Sequence, residues 1–142
     1  MNRIINKLIS HLSEQRKTLF LIDSLGAFST AFFLFVITRR LNEYFGMPKI
    51  VLTYLSAIAC CFCIYSTVCF IFIKGRTAIS FIKIIGIANL LYCTLIIGLL
   101  IKYFPLLTIV GITYFVIEIL VIYMLSYVEL SVVARSKEKK MN

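Results

Sequence analysis

The chain has 142 residues, 61% hydrophobic and 15% charged, with a formal net charge of +9 and a mean hydropathy of +1.00. A soluble domain carries about 25% charged residues, so this composition excludes a soluble globular protein and points to one membrane-embedded bundle. The basic excess lies outside or near the ends of the apolar runs, where it reports topology rather than affinity for nucleic acid.

Residues 1–17 read as an amphipathic helix. Met1, Ile4, Ile5, Leu8, Ile9 and Leu12 share one helical face, and Asn2, Arg3, Asn6, Lys7, Ser10, His11 and Glu14 share the other. Such a helix suits the anionic cytoplasmic leaflet, with a partner-binding helix as the rival reading. His11 is the single histidine, so no second imidazole is at hand for a metal site, and neither metal nor cofactor is expected.

Residues 18–130 form the predicted transmembrane domain, with spans at Leu19 to Ile37, Ile50 to Ile73, Ile79 to Ile101 and Leu106 to Val128. Lipid offers no partner to backbone N–H and C=O groups, so runs of this length must be helices. The first run is too long for a signal-peptide core and lacks a small-x-small cleavage site, so it is expected to be retained. Phe45-Gly46-Met47-Pro48 marks a turn in the outer connection from Arg39 to Lys49. Lys74-Gly75-Arg76-Thr77 predicts a tight hairpin that makes spans two and three antiparallel neighbours. Lys102-Tyr103-Phe104-Pro105 joins spans three and four, with Pro105 suited to the first turn of the fourth helix. Residues 131–142 read as a charged cytoplasmic tail, frayed from Ser136 onward. The expected fold is all-α: four transmembrane helices in an antiparallel bundle, preceded by the interfacial helix.

Five cysteines, Cys60, Cys61, Cys63, Cys69 and Cys93, fall inside spans two and three. Cys60 and Cys63 form a CxxC, but hydrocarbon disfavours thiolate chemistry, so they read as small polarisable packing residues.

The polar groups inside the spans carry the functional reading. Asp23 lies about one turn into span one, where an ionised carboxylate costs up to about 2.5–3.5 kcal/mol on insertion scales. Lys83 enters span three to a similar depth, which predicts an inner Asp23–Lys83 ion pair. The alternative is that Lys83 snorkels and Asp23 bonds local hydroxyls such as Ser24. Glu118 sits near the centre of span four, too deep for a short side chain to snorkel, so it is either neutral or compensated. Asn89 and Tyr92, near the middle of span three, are its expected hydrogen-bond partners. Each span also carries a small or polar stripe, as membrane bundles require for packing. On the fourth, Gly111, Tyr114, Glu118 and Glu129 share a narrow arc, and Glu129 reads as an ordinary interfacial acid.

The segments Leu21-Ile22-Asp23-Ser24-Leu25-Gly26-Ala27, Phe45-Gly46-Met47-Pro48 and Ile87-Ala88-Asn89-Leu90-Leu91-Tyr92-Cys93 resemble those of small, uncharacterised four-span bacterial membrane proteins. That resemblance implies a four-helix protein of the inner membrane and brings no established activity. Small multidrug transporters fit poorly, since they place their carboxylate in the first span among aromatic neighbours that include Trp, and this chain has none. Disulfide-generating enzymes related to vitamin K epoxide reductase need redox cysteines at the outer surface.

With no catalytic constellation, the leading reading is a non-enzymatic membrane protein acting through helix contacts, as an accessory subunit or assembly factor. Its partners would be the lipid bilayer and another membrane protein, or a second copy of itself as a dimer. The alternative is a small proton-coupled transporter or channel component, with Glu118 carrying the proton, Asn89 and Tyr92 tuning it, and Asp23 with Lys83 as an inner gate. A membrane immunity protein is the third.

Eleven basic residues would flank or enter the spans on the side of the N-terminus: Arg3, Lys7, Arg16, Lys17, Lys74, Arg76, Lys83, Arg135, Lys137, Lys139 and Lys140. Four would lie opposite: Arg39, Arg40, Lys49 and Lys102. This asymmetry predicts both termini in the cytoplasm. Reporter fusions after Asn142 and beside Tyr44 are expected to give opposite sidedness, and an external C-terminus would overturn the topology.

Overall fold

Each apolar run forms one helix, because only internal backbone hydrogen bonds satisfy a chain surrounded by hydrocarbon. The computed structural model describes Ile4, Lys7, residues 16–73 and residues 77–141. Its long helices are α1 (Arg16–Val36), α2 (Lys49–Phe72), α3 (Ala78–Tyr103) and α4 (Ile109–Met141). All four are long and apolar enough to span a membrane, and no strand occurs among the described residues. The amphipathic helix expected over 1–17 lies almost wholly outside the described residues, as does the hairpin turn before Thr77.

Helix ends depart from the apolar runs for local reasons. Beyond Val36 the chain continues through a π-helical turn, Ile37–Leu41, and a short helix, Asn42–Phe45, at the end of the bundle away from the termini, here labelled the outer end. The outer connection is therefore mostly helical. Helix α4 starts at Ile109 because Thr108 caps it: the Thr108 hydroxyl accepts the Gly111 N–H at 3.1 Å and donates to the Tyr44 carbonyl. Pro105 thus falls in a separate 3-10 turn, Phe104–Leu106, and not in the first turn of α4 as expected. At its other end α4 runs on to Met141. The stretch read as a frayed tail holds no Gly or Pro to stop a helix.

The bundle is built from two helix pairs. Helix α1 packs mainly on α2, and α3 mainly on α4, while contact between α2 and α3 is slight despite their short connection. Small and hydroxyl side chains explain the first pair. Ser56 donates to the Ala31 carbonyl at 3.1 Å. The hydroxyls of Ser24 and Thr67 lie 2.7 Å apart, and Thr67 donates to the Cys63 carbonyl, which leaves Ser24 as donor. In the second pair Gly86 lets α4 approach, since a Cβ there would meet Leu130 at 3.2 Å.

Two apolar cores form along the bundle. The inner core, toward the terminal ends, gathers Leu19, Phe20, Cys69, Ala78, Ile82, Val132 and Val133. The outer core gathers Leu34, Ile37, Phe45, Met47, Leu52, Leu55, Tyr92, Ile96 and Phe115. Between them each helix contributes a buried polar residue: Asp23, Ser66, Asn89 and Glu129.

The outer end is closed by the turn at Gly46, which has a φ of +73° and lies against the backbone of Leu106. Phe45 stacks edge-on against Tyr114 with ring centroids 5.5 Å apart, and Met47 is fully buried. A Cβ on Gly111 would come within 2.5 Å of the Phe45 carbonyl oxygen. Gly46→Ala is therefore expected to lower stability by at least roughly 1–2 kcal/mol, from the left-handed backbone alone, and Gly111→Ala to lower it too. Gly98, whose Cβ position is open, is the control: Gly98→Ala should not lower it. Detergent-unfolding midpoints read by circular dichroism check all three.

Candidate functional site

Three carboxyls are buried in the bundle: Asp23 at 2% exposure, Glu118 at 7% and Glu129 at 0%. Each sits about two or more turns inside a hydrocarbon-length helix, where a carboxyl must find donors, a proton or a cation. The donors found are all neutral. Ser66 donates to Asp23 Oδ2. Asn89 donates through Nδ2 to Asp23 Oδ1 at 2.8 Å and reaches Glu129 Oε2 at 3.4 Å. An amide nitrogen carries two hydrogens, so Asn89 can serve both carboxyls at once.

Tyr92 donates its hydroxyl to Glu118 Oε1 at 3.2 Å, the arrangement expected from the sequence. The tyrosine is fixed by its neighbours: it is 3% exposed and lies edge-on to Phe62 with centroids 5.8 Å apart. Glu118 Oε2 and Glu129 Oε1 are buried without a hydrogen-bond partner among the described residues.

Several expectations are corrected here. Asp23 does not pair with Lys83. Both of its oxygens are taken by Ser66 and Asn89, and Lys83 is exposed, one residue off the buried face that Ile82, Ile85, Gly86 and Asn89 define on α3. A long lysine at shallow depth can reach headgroups by itself, whereas a short buried aspartate needs donors from the neighbouring helices. The alternative reading fits better in part: Lys83 is exposed and Asp23 does accept from a hydroxyl, but from Ser66 of α2 rather than Ser24, which turns to Thr67. Asn89 belongs to Asp23 and Glu129 rather than Glu118. Glu129 is not an interfacial acid: it is fully buried, directly above Val132 and Val133 of the inner core.

Ser66 is the site residue that sequence reasoning does not single out. The arc shared with Glu118 already puts Glu129 on the right face, eleven residues being close to three helical turns, but not at its true depth. Ser66 gave no comparable signal, because it is one of several hydroxyls on α2.

A cavity of about 400 Å3 lies between α1 and the α3–α4 pair, with Asp23, Asn89, Tyr92 and Glu118 in its wall. Gly26, Ala27 and Thr30 line it from α1, where small side chains leave the space. The five cysteines are free thiols and none of them lines it.

Comparison with protein-family models, with curated proteins and with solved structures finds no match to this chain.

The hydrogen-bond pattern ranks substitutions. Asn89→Leu strips a donor from two buried carboxyls and is expected to cost roughly 1–3 kcal/mol. Lys83→Gln should stay within about 0.5 kcal/mol, as an exposed surface change does. Unfolding midpoints in mixed micelles measure both, and equal losses would reinstate a role for Lys83 in the polar layer.

Proposed function

We propose that this integral membrane protein works as a small proton-coupled transporter or as a component of one, with the buried carboxyls as the proton-carrying element. Glu118 holds the central place, because one of its oxygens is oriented by Tyr92, the other is buried with no donor among the described residues, and the residue stands in the cavity wall. Asp23 and Glu129 form a second proton site bridged by Asn89. In this reading the layer Asp23, Ser66, Asn89 and Glu129 takes the place of an Asp23–Lys83 gate.

The observation that carries the proposal is the set of three intramembrane carboxyls, whose hydrogen-bond donors are all neutral, beside an open volume. Two carboxylates sharing a low-dielectric site do not both stay ionised, so the site takes up a proton or a cation. A protein acting only through helix contacts has no need of an acid-lined cavity or of a carboxyl oxygen left without a donor. The setting proposed is a bacterial inner membrane, as the resemblance implies, with both termini cytoplasmic, which the distribution of basic residues supports.

Infrared difference spectra of the lipid-embedded protein, taken between acidic and alkaline buffer, test the reading. The expected result is a set of protonated-carboxyl C=O bands that come and go with pH, one lost in Glu118→Gln and another in Asp23→Asn, with helix content unchanged. Wild-type spectra with no exchanging carboxyl band would overturn it.

A further inference from the structure

The cavity has an open side and a pair of polar groups that the proton reading does not draw on. It follows α1 from Asp23 to Phe33, a rise of roughly 15 Å at 1.5 Å per residue. Its volume of about 400 Å3 falls within the range of about 300–1,000 Å3 typical of small-molecule sites. Phe33 on α1 and Ile117 and Val121 on α4 border it and are themselves more than half exposed, and α1 and α4 touch only slightly. The slot between these two helices therefore faces the lipid, and a molecule dissolved in the bilayer can enter it without passing either aqueous face.

The walls offer no open charge. Among the described residues no lysine, arginine or histidine borders the cavity. Both Asp23 oxygens are bonded. Glu118 Oε1 takes the Tyr92 hydroxyl, and its Oε2 is sealed off within the protein. Two neutral hydroxyls are left, those of Thr30 on α1 and Tyr114 on α4, about one helical turn from Phe33 and Ile117 at the lipid-facing edge. A helical serine or threonine commonly ties its hydroxyl to the carbonyl four residues back, as Ser29 does to Leu25 and Thr113 to Ile109. Neither the Thr30 nor the Tyr114 hydroxyl has a hydrogen-bond partner among the described residues, and neither is sealed as Glu118 Oε2 is. In a site without water, two such donors call for an acceptor.

We propose that this lateral slot binds an uncharged, lipid-soluble molecule bearing a carbonyl-type oxygen. Thr30 and Tyr114 donate to that oxygen, and the apolar body lies against the rings of Phe33, Phe62 and Tyr92. A charged ligand would lose its hydration and meet no open counter-charge. A hydrocarbon chain would fill the volume but leave both hydroxyls unmatched. The ester oxygens of phospholipids lie at the wrong depth. Thr30 is nine residues inside Arg39, roughly 13 Å at 1.5 Å per residue, close to the middle of a hydrocarbon core about 30 Å thick. The site uses no carboxyl, so it goes beyond the proton reading and does not depend on it.

Benzophenone, an uncharged diaryl ketone, is the probe. Its tritiated form is measured by equilibrium dialysis against the purified protein in nanodiscs, with empty nanodiscs correcting for partition into lipid. Diphenylmethane has the same two rings without the oxygen, and diphenylmethylammonium carries a cation in its place. The expected result is one saturable site per chain for the ketone, with neither control competing. Thr30→Val and Tyr114→Phe keep the shape of the wall and should each weaken binding by about three- to tenfold, as expected for loss of a neutral hydrogen bond. Thr113→Val removes a hydroxyl outside the cavity wall and should leave binding unchanged. Gly26 borders the cavity and its Cβ position is open, so Gly26→Leu should fill the site while the bundle still folds, and binding should be lost. Uptake no greater than in empty nanodiscs, equal competition by diphenylmethane, or full affinity in the Thr30→Val, Tyr114→Phe double variant would overturn the assignment. Competition by diphenylmethylammonium would overturn the choice of an uncharged ligand. Exchanging carboxyl bands without ketone binding would remove the cavity assignment alone, and ketone binding without exchanging bands the proton reading alone.

Discussion

One side-chain amide holds the middle of this molecule together. Asn89 Nδ2 stands between Asp23 of α1 and Glu129 of α4, and Asp23 in turn holds Ser66 of α2. All four helices meet in this single buried layer, with an apolar core on either side of it. The α1–α2 and α3–α4 pairs are each closely packed, but contacts between the pairs are sparse. Between apolar surfaces in lipid there is little hydrophobic drive to join them. The polar layer therefore sets the register of one pair against the other, since two buried acids left without donors would be far more costly than any loss of apolar contact. The cavity follows from the same arrangement. The pairs are joined at the layer and at the outer cap, and the space between these joints is left open along the small residues Gly26, Ala27 and Thr30.

The outer cap is the second joint. Gly46 and Gly111 allow the turn after α1 to lie against the start of α4, with Thr108 bonding both sides. Phe45 and Met47 then seal the outer core. A bundle anchored at the cap and at the polar layer is rigid at those two levels. Between them its side wall is made of α1 and α4, which scarcely touch.

Hydropathy made the four spans legible, because a hydrocarbon-length run has one stable backbone solution. The fold class and the Tyr92–Glu118 contact were readable for that reason, the latter from matched depth on neighbouring helices. What composition does not encode is which helix faces which. Lys83 and Asp23 share a depth, yet Lys83 lies one residue off the inner face of α3, and a rotation of 100° moves a side chain from core to lipid. Glu129 reads as interfacial when depth is counted to the end of the apolar run at Val128, but α4 continues to Met141 and buries Val132 and Val133 beyond it. Ser66 was illegible in principle. Its role depends on the pairing of α1 with α2, and no local pattern distinguishes it from Ser56 or Thr67.

The account stands on the contact between Asn89 and the two acids, and this can be measured in bilayers. Solid-state nuclear magnetic resonance with 15N on the Asn89 side chain and 13C on the Asp and Glu carboxyl carbons reports which carboxyls lie beside that amide. The account predicts two close contacts from Asn89 Nδ2, a stronger one to Asp23 and a weaker one to Glu129, and none to Glu118. A contact to Glu118 in their place, or an Asp23 carboxyl found beside the ammonium of Lys83, would contradict it.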